Sequence, residues 1–195
     1  MKLFSTIVDA LLKDGYCIIP HALDPQLPKE LLRFAQKQTN FTQAGISQST
    51  EQLLDTTTRK TKTLWLADSP SEREYLHLMY ELQNHLNQEL YLGLNCYESH
   101  FSLYEKDDFY KKHKDVFKNS KNRVVTTVYY LNQSWNKKDG GELIIYTKNN
   151  TLLTKVSPEA NTLVVFLSDT FPHEVKPTNK ERYSIAGWFG LKANL

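Results

Sequence analysis

The stretch Tyr110-Lys111-Lys112-His113-Lys114-Asp115 sets an imidazole and a carboxylate two residues apart in a run that reads as a strand. Side chains at i and i+2 of a strand share a face, so the two groups can converge on one point. His173 follows Leu167-Ser168-Asp169-Thr170-Phe171-Pro172, directly after an apolar strand, and brings a second imidazole to a strand boundary. Two imidazoles and one carboxylate form a facial set that leaves three positions of an octahedral metal open, as non-heme Fe(II) oxygenases require. Zinc accepts the same three ligands, so the set alone does not name its metal.

Nine residues beyond His173, Arg182 opens the strand Arg182 to Phe189, on which Arg182, Ser184, Ala186 and Trp188 share a face. A guanidinium above small side chains is costly to bury without an anion, and a carboxylate is its best bidentate partner. The alternative is a surface arginine paired with Glu181 or another acid. Thr126, Val128 and Tyr130 share a face of their own strand, where Tyr130 either offers its phenol to the same carboxylate or serves as a core or rim aromatic. His77, Glu81 and His85 recur at i, i+4 and i+8 on one stripe of a helix. They too could hold a metal, but lying opposite the apolar stripe they read as a solvated face.

These groups need a scaffold, and the hydrophobic period supplies one. The first half reads as helices. Leu3, Ile7 and Leu11 mark an amphipathic helix ended by Gly15, the short strand Tyr16 to Ile19 follows, and a second helix covers Pro28 to Gln38. Asn40 to Thr58 is polar and aperiodic, a long loop of the kind that is often functional. After a strand near Thr61 to Leu66, Ser69-Pro70-Ser71-Glu72 is a capping box with proline at the first helical position, starting a helix to about Leu92 with Tyr75, Met79, Leu82, Leu86 and Leu90 on one stripe. Beyond Asn95 the runs are short and β-rich, separated by turns such as Asp139-Gly140-Gly141 and Asn149-Asn150, with no helix to cross between parallel strands. The fold expected is mostly β with N-terminal helices: a jelly roll (double-stranded β-helix) packed against them. Residues 1–195 are expected to form a single domain, with 1–94 as helical support and substrate loop and 95–190 as the jelly-roll core.

The 195 residues carry 24 Lys and Arg against 22 Asp and Glu, a net charge of 24 − 22 = +2, which argues against a polybasic nucleic-acid binder or a disordered tail. Leu3 to Leu12 is broken by Asp9 and reads as neither a secretion signal nor a membrane span. Cys17 and Cys96 are the two cysteines, too few for a disulfide framework or a thiolate cage, so a reducing cytoplasm is expected.

From about Leu103 to Phe189 the chain resembles the prolyl hydroxylase branch of the 2-oxoglutarate and Fe(II) dependent dioxygenases, especially the oxygen-sensing prolyl hydroxylases and their bacterial counterparts. The matching stretches are Tyr110 to Asp115, Arg123 to Asn132 with Trp135, Gly140-Gly141-Glu142-Leu143, and Pro172-His173-Glu174-Val175 through Arg182-Tyr183. The resemblance implies that His113, Asp115 and His173 hold Fe(II) and that Arg182 with Tyr130 grips the distal carboxylate of 2-oxoglutarate. It implies further that Tyr104 reaches the cosubstrate's other end and that Tyr110, Val128, Leu143 and Trp188 line its pocket. With O2 as the second cosubstrate and ascorbate as a stimulant, the implied reaction is hydroxylation of a proline in a protein substrate, giving succinate and CO2. A regulatory or translation-machinery protein is an expected substrate, neither nucleic acid nor membrane an expected partner, and oxygen sensing an expected role. Arg59, Trp65 and Arg123 are the candidate substrate contacts.

The sequence departs from the family pattern in three places. Ala186 stands where the oxygen-sensing enzymes carry a hydroxyl. Thr61 stands where an acidic residue would pair with the arginine of the mobile substrate loop, which Arg59 to Trp65 resembles. Six residues follow Phe189, so no C-terminal substrate-holding helix is expected. Two other readings are the same chemistry on a small molecule, such as a free amino acid or an alkylated base, and a jelly-roll binding module without catalysis. Nucleic-acid demethylases of the superfamily would show a second arginine six residues after Arg182, where Trp188 stands.

Overall fold

The computed structural model describes residues 2–45, 56–116 and 122–192. Three helices come early: α1 (Lys2–Lys13), α2 (Leu27–Gln36) and α3 (Pro70–Leu90). The capping box at the start of α3 forms: the Ser69 hydroxyl accepts from the Glu72 N–H while the Glu72 carboxylate accepts from the Ser69 N–H. Around and after the helices run β1 (Tyr16–Ile19), β2 (Thr42–Gln43), β3 (Arg59–Lys60), β4 (Lys62–Trp65), β5 (Cys96–Tyr104), β6 (Phe109–His113), β7 (Arg123–Tyr130), β8 (Leu143–Tyr146), β9 (Leu152–Val156), β10 (Leu163–Leu167), β11 (His173–Val175) and β12 (Arg182–Gly190). Among the described helices none is long and apolar enough to cross a membrane.

The strands form two antiparallel sheets, a larger one in the order β1-β10-β7-β12-β5-β4-β2 and a smaller one in the order β3-β6-β11-β8-β9. This is the expected jelly roll. Period-two alternation in the larger sheet explains why it supports two cores. Phe101, Leu103, Val125, Tyr129, Val165, Ile185 and Phe189 face the helices, where they meet Ile7, Leu11, Leu31, Tyr75, Met79, Leu82 and Leu86. The intervening residues Tyr130, Val164 and Phe166 face the smaller sheet and pack with Leu143, Ile145, Phe171 and Val175. Every second residue of β7 and β12 is thereby delivered to the space between the sheets. Gly187 in β12 permits close packing on the helix side, because a Cβ there would collide with the Tyr97 hydroxyl and Thr127 Oγ1.

Three sequence expectations change. The polar stretch from Asn40 contributes β2, which pairs with β4 through Thr42↔Thr63 and Gln43↔Lys62, and residues 46–55 of that stretch lie outside the described residues. The strand expected over Tyr110 to Asp115 ends at His113, leaving Asp115 in a bend. On α3, His77 and Glu81 form an exposed pair at 3.5 Å, whereas His85 turns against Phe4 of α1, with ring centroids 5.8 Å apart. The expected polar stripe is thus split between solvent and a helix contact.

Candidate active site

β6 and β11 lie side by side in the smaller sheet with His113 directly opposite His173. That register, rather than the i, i+2 relation on one strand, brings the two imidazoles together, with ring centroids 4.3 Å apart. Asp115 folds back from the bend after β6, its Oδ1 3.6 Å from His113 Nε2 and its Oδ2 3.6 Å from His173 Nε2. Among the described residues these three are the one group of His, Cys, Asp and Glu arranged to hold a metal ion, with ligand atoms all within 4.8 Å of one another. Ligands at about 2.1 Å from a shared cation stand roughly 3 to 4 Å apart, so the triad fits an ion with little rearrangement.

Each imidazole is oriented by a backbone carbonyl two residues earlier, His113 Nδ1 by Lys111 O at 2.8 Å and His173 Nδ1 by Phe171 O at 3.0 Å. Both Nε2 atoms are then left facing the carboxylate. Burial pushes His173 down to about 4, so its ring is neutral at pH 7. Burial alone would raise the Asp115 carboxyl, yet the adjoining His173 and His113 hold it well below the usual carboxylate range. A neutral imidazole and an ionised carboxylate are the forms that ligate metals.

A cavity of about 320 Å³ opens beside the triad. Arg182 lies in its wall and is only 1% exposed, yet among the described residues no carboxylate pairs with it. Its Nε donates to Gly141 O at 2.8 Å and its Nη1 to Ser184 Oγ at 3.2 Å, and the guanidinium carbon sits 4.8 Å from the Tyr104 ring centroid and 5.1 Å from that of Tyr130. The Glu181 pairing does not occur, since that carboxylate accepts from the Tyr183 hydroxyl. Gly141, at φ +68°, is required here: a Cβ would meet the Arg182 side chain at 3.0 Å. The Tyr130 hydroxyl is buried without a hydrogen-bond partner among the described residues, and burial pushes it up to about 12, which keeps it a neutral donor. A buried unpaired guanidinium beside an orphaned phenol is a site built for an anion.

Tyr110, Val128, Leu143 and Trp188 all line the cavity, as expected, and the Tyr110 ring stacks on His113 at 3.5 Å. Tyr104 lines the cavity too, opposite Arg182 in the β5–β12 register. The three candidate substrate contacts line the same cavity. Arg59 lies over the Tyr110 ring at 4.7 Å with a buried Nε that has no hydrogen-bond partner among the described residues. Arg123 lies 3.7 Å over Trp188 and pairs with Glu98 at 3.0 Å. Trp65 is 56% exposed, its ring edge-on to His100. Thr61 is fully buried and donates to Leu103 O at 2.9 Å, facing the interior where an acid would face the arginine. His100, in contact with both Trp65 and Trp188, belongs to the cavity wall and carries no sequence signal, because all its ring neighbours are distant in the chain.

The family described as the 2OG-Fe(II) oxygenase superfamily matches residues 99–190. A prolyl-4-hydroxylase of Pseudomonas putida is similar in structure over 97% of this chain and 100% of its own, with a TM-score of 0.88 and 34% identity. A Trichoplax adhaerens prolyl hydroxylase, solved with a peptide fragment of the hypoxia inducible factor oxygen degradation domain, gives a TM-score of 0.85 at 27% identity over 97% of this chain and 89% of that one. The hypoxia-inducible factor prolyl hydroxylase of Caenorhabditis elegans is 39% identical over 69 residues, 34% of this chain. The matched stretch spans only 10% of the worm protein's length.

Proposed function

Because the chain belongs to the 2OG-Fe(II) oxygenase superfamily, in its prolyl 4-hydroxylase branch, we propose that it hydroxylates a proline residue of a protein substrate, consuming 2-oxoglutarate and O2 and releasing succinate and CO2. The observation that carries this reading is the buried Arg182, without a carboxylate partner among the described residues, in the same cavity as the His113, Asp115 and His173 triad. Iron alone would not need that cation; a dicarboxylate cosubstrate does.

In this reading His113, Asp115 and His173 hold Fe(II), which with 2-oxoglutarate supplies the oxidising chemistry that puts one oxygen atom into a C–H bond. The protein's share is binding and positioning. Arg182 offers its guanidinium to the distal carboxylate, helped by the Ser184 hydroxyl on the same face of β12 and the Tyr130 phenol opposite. Tyr104 reaches toward the cosubstrate's other end, while Tyr110, Val128, Leu143 and Trp188 give the cosubstrate an apolar sleeve that excludes water. Arg59, Trp65 and Arg123 stand toward the substrate. A proline in an extended segment presents its ring without a competing N–H, and the exposed face of Trp65 suits such a ring. The chain is read as one dioxygenase domain over 1–195 acting in the cytoplasm, with ascorbate as a stimulant. A regulatory or translation-machinery protein is the expected substrate class, and oxygen sensing the expected role.

The test is incubation of the full chain with Fe(II), 2-oxoglutarate and ascorbate, with proline-containing peptides or lysate protein on one side and free proline on the other. Succinate release with a gain of one oxygen, about 16 Da, on a peptidyl proline is the expected result. Hydroxylation of free proline as readily as peptides would replace the protein substrate with a small one. No succinate under any condition would leave a binding module.

A further inference from the structure

Asp115 poses a problem the two histidines do not. Each histidine stands on a strand with its ring pinned by a local carbonyl, whereas Asp115 lies in a bend beyond β6 with no strand to fix it. Its carboxylate is held from elsewhere. Thr126, on the cavity face of β7 and 1% exposed, donates its hydroxyl to Asp115 Oδ2 at 2.8 Å. The same Thr126 oxygen lies 2.9 Å from Ser168 Oγ, and Ser168 is completely buried.

The direction of the protons follows from counting them. A threonine hydroxyl has one hydrogen, and Thr126 spends it on the carboxylate, so the hydrogen between the two hydroxyls belongs to Ser168. The result is an ordered relay, Ser168 to Thr126 to Asp115, in which each member polarises the next toward the anion. Ser168 begins the connection from β10 to β11 that also carries Phe171, whose carbonyl orients His173. One short connection thus positions two of the three proposed ligands, His173 directly and Asp115 through Thr126.

We propose that Thr126, backed by Ser168, is a positioning residue that fixes the Asp115 carboxylate for metal binding; the inference rests on the metal-site reading given above. Hydrogen-bonding partners behind a ligand set its orientation, and losing one typically costs about 10- to 100-fold in metal affinity.

The test is titration of the chelator-treated full chain with Mn(II) alone, following free Mn(II) by electron paramagnetic resonance, with the melting temperature recorded for each variant. Thr126→Val keeps the shape and deletes the hydroxyl, and is expected to weaken Mn(II) binding by about 10- to 100-fold. Thr126→Ser restores the donor and should return the wild-type affinity, which a purely steric role for Thr126 would not predict. Ser168→Ala removes the second donor without touching Asp115 and should weaken binding less than Thr126→Val; it also keeps the question answerable if the valine variant does not fold. Wild-type affinity in folded Thr126→Val or Ser168→Ala protein, or failure of Thr126→Ser to rescue, would overturn the relay while leaving the metal site standing. A wild-type chain that takes up no Mn(II) would overturn the metal site itself.

Discussion

Replacing Arg182 separates the anion site from the metal site. The guanidinium is 1% exposed, and beyond the donors given to Gly141 O and Ser184 Oγ it has no carboxylate partner among the described residues. If the distal carboxylate of 2-oxoglutarate is its partner, Arg182→Ala leaves that anion desolvated and unpaired, a loss of about 3 to 5 kcal/mol. At about 1.4 kcal/mol per decade, the cosubstrate dissociation constant should rise roughly a hundredfold to a few thousandfold. Arg182→Lys keeps the charge but loses the planar fork and the bond to Gly141 O, so its affinity should fall between the two. The assay is calorimetric titration of 2-oxoglutarate into Mn(II)-loaded protein, alongside a Mn(II) titration in which both variants should match wild type, because Arg182 is not among the residues that surround the ion. The folded fraction is checked by thermal melting, since the alanine also leaves the Gly141 carbonyl without its donor. Unchanged 2-oxoglutarate affinity in folded Arg182→Ala would refute the reasoning and assign the buried cation to structure alone.

Three further outcomes are expected. His113→Ala and His173→Ala should abolish stoichiometric Mn(II) uptake, whereas His77→Ala and His85→Ala should keep it, because His77 pairs with Glu81 at the surface and His85 packs on Phe4; Mn(II) titration decides between them. Burial lowers His100 to about 3, with the positive Arg59 acting in the same direction, so the unfolded chain, with an ordinary imidazole near 6.5, binds more protons than the folded one between those values. Stability is therefore complete above about pH 6.5 and falls as pH drops toward 3, by at most about 1.4 kcal/mol per pH unit from this residue; urea unfolding of wild type and His100→Gln at pH 7 and pH 5 should show a shallower fall in the variant. Gly187→Ala drives a methyl into the Tyr97 hydroxyl and should cost about 1 to 3 kcal/mol, read from the urea midpoint.

What the sequence made legible is what short-range physics controls. The α3 start is written in Ser69 and Glu72, two residues that satisfy one another, and the faces of β7 and β12 follow from alternation because one face meets the helices and the other the cavity. His113 and His173 could be picked out because each sits at a strand terminus, and the carbonyl that aims each ring is two residues away. Arg182 was legible because an arginine opening an otherwise small and apolar strand face needs a reason to be there. The misreadings all involve partners remote in the chain. The β2 pairing depends on β4 about twenty residues later, and the contact of His85 with Phe4 on the packing of α3 against α1. The alternation of His-x-Asp puts Asp115 on a strand, yet it leaves the strand and reaches the histidines from a bend, held by Thr126 from β7 and, through it, by Ser168 from beyond β10. A two-residue motif names the groups that can meet. Residues 11 and 53 positions farther along hold the carboxylate in place, and only the closed sheet brings them there.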